Sequence, residues 1–94
     1  MEVVGRSVSP EDVLPDGAET ASFDGCEIRK GTVAAFVANA RALDDAEPGS
    51  EVHRELIAAL TSLAPQLAAI GLFEVFEPRN PQIAQVVEAA IHAR

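Results

Sequence analysis

The sequence predicts a small α+β domain in which a β-hairpin packs on three helices, and three observations lead there. Asp24-Gly25 is a strong two-residue hairpin signal between two short runs of alternating apolar residues. Three later stretches repeat apolar residues at helical spacing, each preceded by a residue that caps helices well. Finally, 94 residues at 48% hydrophobic and 23% charged suit one buried core and are too few for two. The hairpin is expected at about 20–29 and the helices at about 33–43, 51–70 and 81–93, all in a single domain over 1–94.

Residues 1–19 read as an arm that docks loosely. Ser9-Pro10-Glu11-Asp12 has the order of a helix start, with Ser as N-cap, Pro in the first position and acids in the first turn. Pro15 and Asp16-Gly17 stop it within one turn. In the hairpin, a turn at Asp24-Gly25 sets Phe23 opposite Cys26, Ser22 opposite Glu27, Ala21 opposite Ile28 and Thr20 opposite Arg29. Alternation then gathers Ala21, Phe23, Cys26 and Ile28 on one face and Thr20, Ser22, Glu27 and Arg29 on the other. Turn chemistry and side-chain pattern agree on this register.

Thr32 is the expected N-cap of the next helix, whose core face is Val33, Phe36, Val37, Ala40 and Leu43. Asp44, Asp45, Glu47 and Pro48-Gly49 end it, and Ser50 caps the following one. From Glu51 onward, Val52, Leu56, Ala59, Leu60, Leu63, Leu67 and Ile70 fall in one arc at 3.6 residues per turn. Pro65 lies inside that arc, so a kink or short break is expected near 61–65. Gly71 suits the C′ position, with Leu72 folding back on Leu67. The other side of the helix, Ala58, Thr61, Pro65, Ala68 and Ala69, is uncharged too, which points to a central element or a subunit interface. Residues 72–76 are either a short strand beside the hairpin or an apolar linker. Asn80-Pro81 opens the last helix, with Ile83, Val86, Val87, Ala90 and Ile91 inward and Glu88 and His92 outward.

Composition excludes several functions. Fifteen acidic against seven basic residues give a net charge of −8, which argues against binding nucleic acid or an anionic membrane. One cysteine excludes an internal disulfide framework and a Cys-rich zinc site, and two histidines leave too few ligands for a metal centre, so no metal or cofactor is expected. The start of the chain lacks the basic and apolar regions of a secretory signal, and a cytoplasmic location follows as the expectation. Leu56 to Phe73 is an uncharged run near the length of a membrane span. Thr61, Ser62, Pro65, Gln66 and Gly71 interrupt it, and its large residues favour one side, so a buried helix is the better reading.

Gly25, Gly31-Thr32-Val33, Asn39, Pro65-x-Leu67 and Gly71-Leu72-Phe73-Glu74, with Phe76 and Pro78, resemble the pattern of a small uncharacterised bacterial protein family. The resemblance covers roughly residues 20–78. It implies a bacterial cytoplasmic origin and transfers no catalytic residue, because the family has no assigned activity.

Two candidate sites emerge. Arg29-Lys30-Gly31-Thr32 holds the only lysine and the only adjacent basic pair, just before a helix N-terminus whose free N–H groups suit a small anion. The plainer alternative has Thr32 as a cap and Gly31 relieving a tight turn. The spacing of a P-loop is absent, as are the usual nucleophile triads and dinucleotide fingerprints. The second candidate is an interface on Ala58, Thr61, Pro65 and Ala69. Cys26 reads as a packed small residue, Glu88 and His92 as a surface pair four apart, and Asn39 as a side chain that ties down a loop. Asp44, Asp45, Glu47, Glu51 and Glu55 form an acidic surface that would suit a basic partner. No catalytic residue is identified. The expectation is a non-catalytic protein-interaction or regulatory module, a homodimer through the small-residue surface; the alternative is a small-molecule anion binder or minor enzyme subunit acting at Arg29–Thr32.

Overall fold

The Asp24-Gly25 signal produces the antiparallel pair β1 (Thr20–Phe23) and β2 (Cys26–Arg29), in the register Thr20–Arg29, Ala21–Ile28, Ser22–Glu27 and Phe23–Cys26. That is the register the turn dictates. The computed structural model describes residues 9–13, 17–23 and 25–93, so the expectations that rest on residues 1–8, Pro15, Asp16 and Asp24 lie outside it. Gly25 takes φ 77°, the left-handed backbone that a two-residue hairpin turn requires. Ile28 is buried, Ala21, Phe23 and Cys26 are half-buried, and Ser22, Glu27 and Arg29 face water, as the alternation implies. The Lys30 N–H extends the ladder by donating to the Glu19 carbonyl at 2.7 Å.

Before the hairpin, α1 (Pro10–Val13) is the single turn expected there. The Ser9 N–H and hydroxyl both donate to the Asp12 carboxylate, at 3.0 and 3.1 Å, and the Asp12 N–H returns to the Ser9 carbonyl. After it come α2 (Thr32–Asp45), α3 (Glu51–Ala69), α4 (Leu72–Val75) and α5 (Pro81–His92). α3 lies between α2 and α5 and also meets β2 and α4. Leu60 and Leu67 on α3 are wholly buried; around them gather Phe36 and Leu43 from α2 and Ile83, Val87 and Ala90 from α5. The domain is therefore α+β, with the hairpin at one end of a three-helix layer.

Local chemistry explains the helix ends. The Ser50 hydroxyl accepts from the His53 N–H at 3.1 Å, and Asn80 Oδ1 accepts from the N–H groups of Gln82 and Ile83 at 2.8 and 3.3 Å. Gly71, at φ 84°, ends α3 by donating to the Ala68 carbonyl at 3.1 Å, and Leu72 folds onto the core cluster.

Four expectations are corrected. Thr32 is not the N-cap: Gly31 holds that place, and no side chain caps α2. The Thr32 hydroxyl instead lies 2.7 Å from the Arg29 carbonyl and 3.3 Å from Gln66 Oε1, buried between α2 and α3. α3 is not broken at 61–65 but is helical from Glu51 to Ala69. Pro65 lacks the N–H that would reach the Thr61 carbonyl; both residues are exposed, so water can serve that carbonyl. Residues 72–75 form a helical turn, neither strand nor linker, because Gly71 redirects the chain and the Phe76 N–H closes on the Leu72 carbonyl at 2.9 Å. Lastly, Val33, Val37, Val52 and Ile91 are 43%, 48%, 57% and 40% exposed, although helical spacing places them with the core. The narrow core on α2 is filled by Phe36 and Leu43, and on α3 it begins only at His53 and Leu56.

Candidate functional site

The turn from β2 into α2 brings the four proposed anion-binding residues together. Arg29 ends the strand, Gly31 turns the backbone at φ 88°, and α2 begins at Thr32. Arg29, Lys30, Gly31 and Thr32 line one hollow of about 350 Å³. The rest of that wall is apolar: Val13, Ala21, Phe23, Ile28, Val33, Ala34 and Ile70. Arg29 and Lys30 are exposed, whereas the Thr32 hydroxyl is committed to the Arg29 carbonyl and Gln66. The polar side of the site is thus two cations and the uncapped first turn of α2, without the threonine that the sequence reading included. An ion surrounded by water gains little from an apolar wall. A ligand with an anionic head and an apolar body fits this chemistry better.

The proposed interface residues lie together along α3. Ala58, Thr61 and Pro65 are exposed, and Ala69 is half-buried. The Thr61 hydroxyl donates back to the Ile57 carbonyl at 2.7 Å, leaving a flat strip of small side chains. Ala68, grouped with this side in the sequence, is buried.

A third surface was not visible as a site in the sequence. α4 carries Phe73 inward, where its ring packs on Phe36 with centroids 5.8 Å apart. The next residues then run outward, leaving Val75 and Phe76 at 75% and 63% exposure. Phe76 stands between two hollows, of about 330 and 340 Å³. Both are lined by Phe73, Phe76, Glu77 and Pro78; the first adds Val37, Arg41, Asp44, Arg79 and Asn80, the second Glu88 and Ile91. An aromatic followed by Glu-Pro between two helices is the one sequence signal that marks this place.

His53 is buried, with Nε2 3.0 Å from Gln82 Oε1, and so joins α3 to α5. Glu88 and His92 approach to 3.4 Å on the exposed side of α5, an ordinary surface pair. Cys26 is a half-buried free thiol. Asn39 is half-buried, and its side chain makes no hydrogen bond among the described residues, so it does not tie down a loop as expected. Asp44, Asp45, Glu47, Glu51 and Glu55 are all exposed. Among the described residues, no group of three or more His, Cys, Asp or Glu side chains is placed to hold a metal ion, and no helix is long and apolar enough to cross a membrane. No family model matches the chain, and the searches of curated proteins and of solved structures return no match.

Proposed function

We propose that this chain is a non-catalytic protein-interaction module that works through the face built by α2, α4 and the α4–α5 connection. The observation that carries the reading is the exposure of Phe76 between the two hollows, with the still more exposed Val75 next to it in the chain. Large apolar side chains grouped around a concave surface are the usual anchors of a protein contact, and aromatic residues dominate its energy. The α3 strip of Ala58, Thr61, Pro65 and Ala69 offers close approach but no comparable anchor. A net charge of −8 disfavours nucleic acid and anionic membranes as partners. The lone, unpaired Cys26 suits a reducing cytoplasm.

The test is co-expression of two differently tagged copies, followed by capture and mass analysis. The wild type retains either its second copy or another protein, and the double substitution Val75→Ser, Phe76→Ser loses it while keeping the helical circular dichroism. An identical retained set for wild type and variant refutes the reading.

A second reading is favoured by the hollow beside Arg29 and Lys30. We propose as the alternative a binder of an amphiphilic anion, such as a carboxylate with a short alkyl chain, its head at the α2 N-terminus and its tail against Phe23, Ile28 and Val33. Titrating octanoate against inorganic phosphate should move the amide signals of residues 31–34 with octanoate alone. The shifts should vanish in Arg29→Ala, Lys30→Ala. Absence of saturable shifts at millimolar octanoate removes this reading.

A further inference from the structure

The face around Phe76 carries charges as well as apolar groups, and their arrangement identifies what covers it. Arg41, Asp44, Glu77 and Arg79 surround the hollow on the α2 side, two cations and two anions on a chain whose net charge is −8. Asp44 accepts a hydrogen bond from Asn80 Nδ2 at 3.3 Å, while Arg41, Glu77 and Arg79 make no ion pair among the described residues. On the α2 side the patch therefore balances two cations against two anions over an apolar floor, and Glu88 adds one anion in the second hollow. A strongly basic partner would find two arginines in its way. A strongly acidic one would meet Asp44 and Glu77. The charge pattern is complementary to itself.

We infer that this face is the two-fold interface of a homodimer, with a second copy of the chain as its occupant. The inference rests on the interaction reading above and names its partner. A two-fold contact requires one patch to hold both a projection and the recess that receives it. Here Phe76 projects directly beside the hollow lined by Val37, Pro78 and Asn80. When two copies of residues 76–80 meet antiparallel about an axis at Pro78, Glu77 of each copy lies opposite Arg79 of the other. Phe76 then reaches the far side of the partner's recess. Both crossings join opposite charges, which offsets part of the repulsion between two acidic chains.

The charge pairing gives a test that does not depend on any single variant folding well. Sedimentation equilibrium of the full chain from micromolar to millimolar concentration should show its 9.9 kDa mass doubling. Phe76→Ser should raise the dissociation constant by at least about 30-fold, the loss typical of a central aromatic anchor. Arg79→Glu and Glu77→Arg each set like charges against one another at both crossings and should remain monomeric alone. Mixed together, they restore opposite charges at both crossings and should form a one-to-one dimer. Ala58→Glu should dimerise as the wild type does. A monomeric wild type at millimolar concentration overturns the inference, and so does a mixture that gains nothing over its components. If Ala58→Glu alone abolishes the dimer, the interface lies on α3: the homodimer inference at Phe76 falls, while the protein-interaction reading survives. Retention of a different protein by a monomeric chain likewise separates the two.

Discussion

Leu60 and Val52 share one apolar arc in the sequence, and the fold separates them: Leu60 is wholly buried and Val52 is 57% exposed. Their truncation therefore measures how α3 is rotated in the domain. Leu60 sits in the cluster formed by Phe36, Leu43, Leu67, Ile83 and Val87, so Leu60→Ala opens a cavity among side chains from three helices. Such a change typically costs about 2–5 kcal/mol. A 94-residue domain has a stability of about 5–14 kcal/mol, so the loss is a large share of it. Val52→Ala removes apolar atoms already in water and should cost less than about 0.5 kcal/mol. With a urea slope of about 1–2 kcal/mol per molar, Leu60→Ala lowers the midpoint by at least about 1 M, while Val52→Ala barely moves it. Helical circular dichroism against urea reads both. Comparable shifts for the two variants would refute the placement of α3 and, with it, the assignment of the exposed faces.

Three further expectations use the same urea assay. Asn80→Ala removes the oxygen that accepts from Gln82 and Ile83 and should cost about 1 kcal/mol; an unchanged midpoint would deny the cap. Gly31→Ala meets no atom within 4 Å of the added Cβ, so its cost should be the left-handed backbone alone, about 1–2 kcal/mol, with Gly31→Asn costing less. Equal costs would contradict that cause. Gln82→Ala takes the partner from the buried His53 ring and should cost about 1 kcal/mol, whereas Gln85→Ala, elsewhere on the same helix and exposed, should be neutral.

Where local chemistry decides the outcome, the chain can be read directly. Asp24-Gly25 with flanking alternation specifies the hairpin register, and Ser50 and Asn80-Pro81 mark two helix starts. Where tertiary contacts decide, it cannot. Thr32 is a good capping residue, yet its hydroxyl turns to the Arg29 carbonyl and Gln66, and the Gln66 contact comes from 34 residues along the chain. Pro65 ordinarily interrupts a helix, but packing of Ala64, Leu67 and Ala68 on either side of it holds α3 together. Residues 72–75 are too few to display any period, so the turn made at Gly71 settles their shape. The exposure of Val33 and Val37 has the same origin: spacing identifies an apolar face of α2 without saying how much of it the other helices reach.

The candidate sites divide in the same way. Arg29, Lys30 and Gly31 are contiguous, so the sequence displays them together, though not the apolar hollow assembled from α1, the hairpin, α2 and Ile70. The Phe76 face joins α2 to the connection before α5, and its charges come from Arg41, Asp44, Glu77 and Arg79. Nothing in the linear chain brings Arg41 to Arg79; only the packing of α2 and α5 against α3 does so.

Isotope-filtered nuclear Overhauser spectra of a mixture of labelled and unlabelled copies test the central claim most directly. A two-fold interface at Phe76 gives cross-copy contacts from its ring to Val37, Pro78 and Asn80. Contacts that arise instead from the methyl groups of Ala58 and Ala69, or none at millimolar concentration, would contradict it.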